Sequence, residues 1–151
     1  MHKIPAFCWF INLFPAYRGT GGWVNYIASD WREIHVRLPL SWQTRNYVGA
    51  IFGGSMYAAV DLMYMFMLIK VLGPGYVVWD KAASIRFKQP GISCLYVSMQ
   101  LDECELQLIH ESLQAKLSID RVYGIDLVDA EGNVRARVEK TIYIARKDIA
   151  Q

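Results

Sequence analysis

The sequence is poor in the residues that build disulfide frameworks and metal sites. Its 151 residues include three widely spaced cysteines, Cys8, Cys94 and Cys104, and three histidines. No two cysteines form a C-x-x-C pair, and no histidine lies at ligand spacing from them. A disulfide framework and a structural zinc site are therefore not expected, and the sequence predicts neither a metal nor a bound cofactor. The cysteine usage fits a cytoplasmic location, where thiols stay reduced.

Strong charge and long linkers are also missing. The formal net charge is +2, 20% of the residues are charged, and no run of lysine or arginine is long enough to follow a phosphate backbone. Nucleic acid is therefore not an expected partner. No repeat, low-complexity stretch or Pro/Gly/Ser linker divides the chain, so residues 1–151 are predicted to form one domain.

The N-terminal segment, residues 1–32, begins with the apolar stretch IPAFCWFINLF. Pro5, Asn12 and Pro15 interrupt this stretch, and no small-residue cleavage pattern follows it. The pattern favours an aromatic-rich docking segment over an export signal.

The stretch GGSMYAAVDLMYMFMLIKVLG predicts a long helix over residues 53–72, which starts at a double glycine and stops before Gly73 and Pro74. The helix is apolar on nearly all sides, which is typical of burial in a core or in lipid, and it is long enough for a bilayer. Asp61 near its middle would cost about 2.5 to 3.5 kcal/mol in lipid, and the flanks lack the basic residues of a membrane anchor. A core helix without stable membrane insertion is therefore the expectation.

Alternation of apolar and polar residues predicts strands at 33–40, 83–88 and 94–101. In the second of these, Ala83, Ile85 and Phe87 are predicted to share one face. Sheets of this kind leave edge strands open, and the apolar excess of the chain suggests that these edges pair with another subunit.

The C-terminal third predicts a short helix followed by a hairpin. Asp102 and Glu105 have the spacing of a helix N-terminus. Residues 123–147 predict two strands with a turn at 129–133. One face of the last strand is expected to carry Val134, Ala136, Val138, Ile142 and Ile144. Together the elements predict an α+β fold, in which an antiparallel sheet of about five strands packs around one long helix.

The run NYVGAIFGGSMYAAVD, residues 46–61, carries asparagine, glycine and aspartate at fixed offsets. It resembles the signature of hotdog-fold thioesterases of the phenylacetate-pathway type, N-x-x-G-x-x-H-G-G followed by six residues and an aspartate. Together with VVWDKAASIRFKQP, residues 77–90, it is similar to an uncharacterised hotdog family related to acyl-CoA thioesterases. In that family phenylalanine replaces the histidine, and Phe52 occupies the position here.

The resemblance implies a hotdog fold, in which an antiparallel sheet wraps around a central helix. It also implies homodimers that join two sheets into one, often homotetramers, with two sites per dimer built across the subunit interface. Eight residues of helix, about 12 Å, separate Gly53 from Asp61, which is a physical reason for a shared site. The implied substrate is an acyl thioester of coenzyme A, with no further cofactor.

Three matched residues acquire catalytic roles through the resemblance. Asp61 would be the general base or nucleophile, Gly53 would offer its backbone N–H to the thioester carbonyl, and Asn46 would position substrate or water. Gly53 and Gly54 lie where the helix begins, and free N–H groups and the helix dipole favour negative charge there. Structural interpretations remain open: a tight turn for the glycines, a paired carboxylate for Asp61 and a loop contact for Asn46.

Other residues near the motif are candidates for substrate binding. Phe52 cannot donate a hydrogen bond to a carbonyl, so it would line an acyl tunnel together with Gly54. Asp80 and Lys81 are adjacent in a predicted strand, so at most one of them can point into the site.

Two pairs of basic residues are candidates for contact with the phosphates of coenzyme A. Arg86 and Lys88 share a strand face, as do Arg135 and Arg137. Solvated surface charge is the alternative for both pairs.

Three classes of function remain open. An acyl-CoA thioesterase leads, followed by a non-catalytic binder of acyl or other apolar ligands and by an assembly protein without a small ligand. Hotdog dehydratases use a histidine with an acid. Because His2, His35 and His110 all lie far from Asp61 in the sequence, a dehydratase is disfavoured.

Overall fold

The computed structural model describes residues 6–148, so the ends of the predicted domain, 1–5 and 149–151, lie outside the described residues. The strands are β1 (Trp23–Ile27), β2 (Glu33–Leu38), β3 (Tyr76–Phe87), β4 (Leu95–Gln100), β5 (Ser118–Val128) and β6 (Val134–Arg146). The helices are α1 (Ala6–Leu13), α2 (Pro15–Arg18), α3 (Gly53–Ala58), α4 (Met63–Leu72) and α5 (Glu103–Ala115). The six strands form one antiparallel sheet in the order β1-β2-β4-β5-β6-β3. This architecture confirms the predicted α+β class.

The C-terminal hairpin is present, and its first strand begins at Ser118, earlier than the sequence indicated. Asp129 shapes the turn, because its Oδ1 accepts the backbone N–H groups of Glu131 and Asn133 at 3.0 and 2.9 Å. Gly132 adopts a φ of 86°, which glycine tolerates without strain. The hairpin lies inside the sheet, where β5 pairs with β4 and β6 pairs with the edge strand β3.

Strand β1 is the element that the sequence did not predict, and it brings the count to six strands instead of about five. Its pairing with β2 contains an irregularity between Val24 and Tyr26. A bulge shifts the side chains by one position, so the alternation that marks a strand is lost in WVNYI.

The central helix runs from Gly53 to Leu72 but is divided by a turn at 59–62 into α3 and α4. The turn tightens the backbone, because the N–H groups of Val60 and Met63 bond carbonyls three residues back. The released carbonyl of Ala59 accepts a hydrogen bond from the Tyr17 hydroxyl at 2.8 Å. Asp61 therefore lies in a break between two helices and not on a continuous helix.

Within residues 6–148, this helix is the one that is long and apolar enough to cross a membrane. The core helix of a globular protein has the same length and composition, so the observation is weak evidence for a span. Ala59, Val60, Met63, Met67 and Leu68 are completely buried and belong to the hydrophobic core under the sheet.

Helix α5 begins as the sequence predicts. The Asp102 side chain accepts the backbone N–H of Glu105 at 2.7 Å, and Leu106, Ile109 and Leu113 are buried on one face. The Glu105 side chain turns instead to strand β5, where it binds Arg121 through two bonds of 2.8 Å and the Tyr123 hydroxyl through one of 2.7 Å. These contacts fasten the helix to the sheet.

Glu105→Ala is expected to lower the free energy of unfolding by about 1 to 3 kcal/mol, because it leaves a partly buried guanidinium and a buried phenol without their acceptor. Urea denaturation of parent and variant measures the change. Glu111→Ala is the matched control on the same helix, since Glu111 is exposed and bonds only Gln107 among the described residues. Equal losses in both variants would show that the bond network contributes nothing beyond helix propensity.

The two edges of the sheet differ. At β1, the Asn12 side chain both donates to and accepts from the backbone of Val24 at 2.8 Å, so α1 closes this edge. At the other edge β3 is 12 residues long, and 82–84 are three exposed small residues without a guarding charge or proline. Of the face predicted to be buried there, Ile85 is half-buried, whereas Ala83 and Phe87 are exposed. Because β3 is an edge strand and lies beyond the central helix, these side chains are more exposed than the alternation predicts.

Candidate functional site

The loop before α3 is held by Asn46. Its Oδ1 accepts the backbone N–H groups of Val48 and Ala50 at 3.1 and 3.0 Å, and Gly49 has a φ of 84°. The Asn46 side-chain oxygen therefore shapes the loop, as in the loop-contact interpretation. Its amide nitrogen makes no hydrogen bond within residues 6–148, so a contact to substrate through that group stays a prediction.

The start of α3 lies under two aromatic rings. Phe52 is at the N-cap and offers no side-chain acceptor, and the N–H groups of Gly53 and Gly54 find no partner within residues 6–148. A Cβ on Gly53 would lie 2.7 Å from the ring of Phe87, and one on Gly54 would overlap the ring of Phe52. The glycines thus permit close ring packing and also leave two backbone donors free.

A cleft of about 380 Å³ opens beside this helix start. It contains Asn46, Gly53 and Lys88 from the predicted site, and its other walls are largely apolar. The remaining lining residues are Val48, Ala50, Ile51, Met56, Phe87, Gln89, Pro90 and Gly91. The cleft therefore joins one cationic side chain and the free backbone donor to an apolar surface.

Asp61 belongs to a separate polar cluster built around the ammonium group of Lys140. The Lys140 Nζ lies 2.6 Å from Asp61 Oδ1, and the Tyr57 hydroxyl donates to the same oxygen at 2.6 Å. The Asp80 Oδ1 atom is buried 3.1 Å from Nζ, at an ion-pair distance but without hydrogen-bond geometry. The Lys140 side chain is 1% exposed, against 41% for Asp61 and 27% for Asp80.

The charges of the cluster follow from these contacts. Burial works against ionisation of Asp61, but the bonds from Lys140 and Tyr57 outweigh it and hold the Asp61 pKa below its ordinary value. Burial raises the pKa of Asp80, because Lys140 offsets it only in part. The two carboxylates overcome the effect of burial on Lys140 and raise its pKa. Asp61 is therefore an ion at neutral pH, paired with a protonated lysine.

Lys140 and Tyr57 are the cluster residues that the sequence analysis missed. Lys140 lies on β6 between Val138 and Ile142, on the face predicted to be apolar. A lysine in register with buried residues costs several kcal/mol unless it is paired, so the position of Lys140 between two buried residues is the signal that could have indicated a buried counter-charge.

The structure separates the remaining candidates. Asp80 faces the cluster, whereas the adjacent Lys81 pairs with Asp120 at 2.7 Å on the surface. A bulge between Asp80 and Ala82 accompanies this change of direction. Arg86 and Phe52 are exposed.

The four basic candidates for phosphate contact also divide into two pairs. Arg135 is paired with Asp129 at 2.7 Å and Arg137 with Asp126 at 2.8 Å. Arg86 and Lys88 are both exposed on the side of the sheet that carries β3.

A second cleft, of about 360 Å³, adjoins the cluster at the open edge of the sheet. It is lined by Tyr57 and by Ala83, Ser84 and Ile85 of β3. Neither this cleft nor the one beside Gly53 contains residues of the other. Within one chain, Gly53 therefore lines the first cleft, whereas Asp61 lines neither cleft and adjoins the second only through its partner Tyr57.

Three solved structures share this architecture. A Pseudomonas aeruginosa protein of unknown function, PA5026, described as a probable thioesterase, has a TM-score of 0.74 and 14% identity over 85% of each chain. The thioesterase HI1161 from Haemophilus influenzae has a TM-score of 0.69 and 13% identity over 97% of this chain and 92% of that one. A Chlorobaculum tepidum protein of unknown function has a TM-score of 0.71 and 13% identity over 92% of this chain and 91% of that one. At such identities the likeness establishes the fold.

The protein is thus a hotdog-fold protein, similar in architecture to proteins described as thioesterases. Residues 6–144 match a domain of unknown function, DUF4442, and the chain belongs to that family. No curated protein matches the sequence.

Proposed function

We propose that the protein is a thioesterase that hydrolyses acyl-CoA. The observation that carries the proposal is the state of Asp61, an ionised, half-exposed carboxylate at the open edge of the sheet. One of its oxygens is occupied by Lys140 and Tyr57, and Oδ2 makes no hydrogen bond within residues 6–148. A carboxylate held in this way is suited to accept a proton from water or to attack a carbonyl carbon.

The second requirement of thioester hydrolysis is a donor for the negative charge that develops on the carbonyl oxygen. The Gly53 N–H at the start of α3 is free, and preorganised donors of this kind contribute several kcal/mol to such reactions. In the proposed mechanism this N–H binds the carbonyl oxygen, the Asn46 amide orients substrate or water, and Asp61 acts on the carbonyl carbon directly or through water.

A shared site follows if two chains pair along β3. This strand has one free edge, and small exposed residues there allow the backbone of a second copy to approach. The proposed assembly is a cytoplasmic homodimer, or a homotetramer of such dimers, in which Asp61 of one protomer faces the helix start of its partner.

The substrate would be distributed over both clefts. The largely apolar cleft beside Gly53 is suited to an acyl chain or to the pantetheine arm, and Phe52 and Gly54 would form its rim. Lys88 lines this cleft, the exposed Arg86 directly precedes its Phe87 wall, and both would contact the phosphates of coenzyme A. Asp80 would contribute at the other end of the site, whereas Lys81 stays outside it in its surface pair with Asp120.

A panel of acyl-CoA thioesters with short, long and aromatic acyl groups tests the proposal. Thiol release is expected for at least one class at kcat/KM of roughly 10⁴ M⁻¹s⁻¹ or more, the lower end for established enzymes. Release that does not exceed the buffer blank for every member of the panel would contradict it.

The second candidate is a non-catalytic binder of acyl or other apolar ligands. It is favoured by Phe52, whose ring lies on the helix start where the related enzymes carry histidine, and by the use of the Asn46 oxygen within its own loop. In that case an acyl-CoA would bind and be recovered unhydrolysed, which isothermal calorimetry followed by mass spectrometry distinguishes from turnover.

A further inference from the structure

Lys140 is the feature of the site that the thioesterase resemblance does not explain. Its ammonium group is enclosed by Asp61, Asp80 and the Tyr57 hydroxyl, at 2.6, 3.1 and 3.3 Å. With a side chain that is 1% exposed, Lys140 cannot touch a substrate. It therefore cannot be an oxyanion donor or a nucleophile, and any role in the reaction must pass through the residues that it contacts.

We propose that Lys140 is a positioning residue for Asp61: it fixes this side chain as a carboxylate and leaves Oδ2 directed at the substrate. The inference deepens the proposed function and rests on it. The residue that would react is Asp61, and the residue that prepares it lies 79 positions away on the C-terminal hairpin.

The geometry of the Asp61 carboxylate carries the argument. Two donors from different elements, Tyr57 on α3 and Lys140 on β6, converge on Oδ1 at 2.6 Å. Two anchors on one oxygen define the rotamer and the plane of the carboxylate, which a single bond to a mobile surface lysine would not do. One anchor is local, since Tyr57 lies four residues before Asp61, and the other comes from strand β6.

Asp80 completes the device. It lies on β3, its Oδ1 is 3.1 Å from the ammonium nitrogen, and this buried oxygen finds no hydrogen bond within residues 6–148. Its charge attracts Nζ without competing for the short bond to Asp61. The titratable groups around Asp61 are thus Tyr57 from α3, Lys140 from β6 and Asp80 from β3, which also contacts Lys140.

The test removes the ion pair between Lys140 and Asp61 and keeps the net charge of the cluster unchanged. Lys140→Met combined with Asp80→Asn removes one positive and one negative group, whereas Asp80→Asn alone leaves Lys140 in contact with Asp61. Titration of ¹³C-labelled aspartate carboxylates by NMR follows Asp61 in each protein. In the parent and in Asp80→Asn, the Asp61 midpoint is expected below the ordinary aspartate value. In the double variant only the Tyr57 hydroxyl still offsets burial, and the Asp61 midpoint should rise by about one pH unit or more.

The same shift should appear in catalysis. The acid limb of the kcat/KM profile moves to higher pH in the double variant and stays in place in Asp80→Asn, whereas loss of a merely structural lysine would lower the profile without moving its limb. An Asp61 midpoint that is equal in the parent and in the folded double variant would overturn the inference. The titration needs no turnover. If the parent hydrolysed no thioester, the proposed function would be refuted, but the titration would still show whether Lys140 controls the ionisation of Asp61.

If the double variant does not fold, hydrogen exchange of the lysine ammonium groups in the parent protein tests the inference instead. The Lys140 ammonium protons should exchange with solvent more slowly than those of Lys81, whose ion pair with Asp120 is exposed. Their exchange should become faster in Asp61→Asn, because the shortest bond to Nζ is weakened. Exchange at Lys140 as fast as at Lys81 would show that the ammonium group is not held, and would equally overturn the inference.

Discussion

Asp61→Asn is expected to lower kcat/KM for thioester hydrolysis by about a hundredfold to ten-thousandfold, the usual contribution of a general base, and by more if Asp61 is the nucleophile. The amide oxygen of asparagine can still accept the bonds that Lys140 and Tyr57 donate to Oδ1. The amide nitrogen then takes the place of Oδ2 and presents a donor where the reaction needs an acceptor. Activity should therefore be lost while the fold is kept. Steady-state assays and thermal melting on the same preparation measure both.

Asp120→Asn is the control for this substitution, since Asp120 is an exposed aspartate paired with Lys81 away from the cluster. It should retain the activity of the parent. A folded Asp61→Asn protein with full turnover would refute the catalytic role of Asp61. A fall in activity that only follows the folded fraction would assign Asp61 a structural role instead.

A mixture of two inactive variants is expected to regain about one quarter of the parent activity. The first variant is Asp61→Asn, and the second is Gly53→Pro, which removes the backbone N–H at a first helical position that proline tolerates. Random exchange of protomers makes half of the dimers mixed, and one of the two sites in each mixed dimer has an intact Asp61 and an intact Gly53. The Phe87 ring must move aside for the proline, which its exposure allows.

Native mass spectrometry of differently tagged chains would verify that protomers exchange, and sedimentation would give the assembly state. Each variant mixed with itself should stay inactive, which controls for contamination by the parent. A mixture that exchanges fully and yet remains inactive would place each site within one chain. A monomeric parent with full activity would contradict the shared site by itself.

Much of the fold could be predicted from the sequence, because the apolar residues keep one period over long stretches. The hairpin of β5 and β6, the capped start of α5 and the apolar helix from residue 53 to 72 all follow such patterns. Strand β1 could not be predicted, since its bulge shifts the alternation. The break at 59–62 was also missed, because no glycine or proline marks it and a tertiary hydrogen bond stabilises it.

The site was harder to predict for a different reason. Fixed offsets along one segment marked Asn46, Gly53 and Asp61, but the partner of Asp61 comes from another strand 79 residues later. Lys140 was missed, although it falls on the apolar face of β6, and alternation along that strand does not show which carboxylate such a lysine would meet. Whether Asp80 or Lys81 faces the site depends on a bulge, which no spacing rule revealed.

The hydroxyl of Tyr17 helps to fix the position of Asp61. By binding the carbonyl of Ala59, it ties the turn that carries Asp61 to the N-terminal helices. Those helices are themselves fastened to the sheet, through Asn12 and Val24. The Asp61 carboxylate is thus placed by two distant parts of the chain, with Tyr17 on the backbone of the turn and Lys140 on the side chain. The segment before the first strand is part of the machinery that sets the position of Asp61.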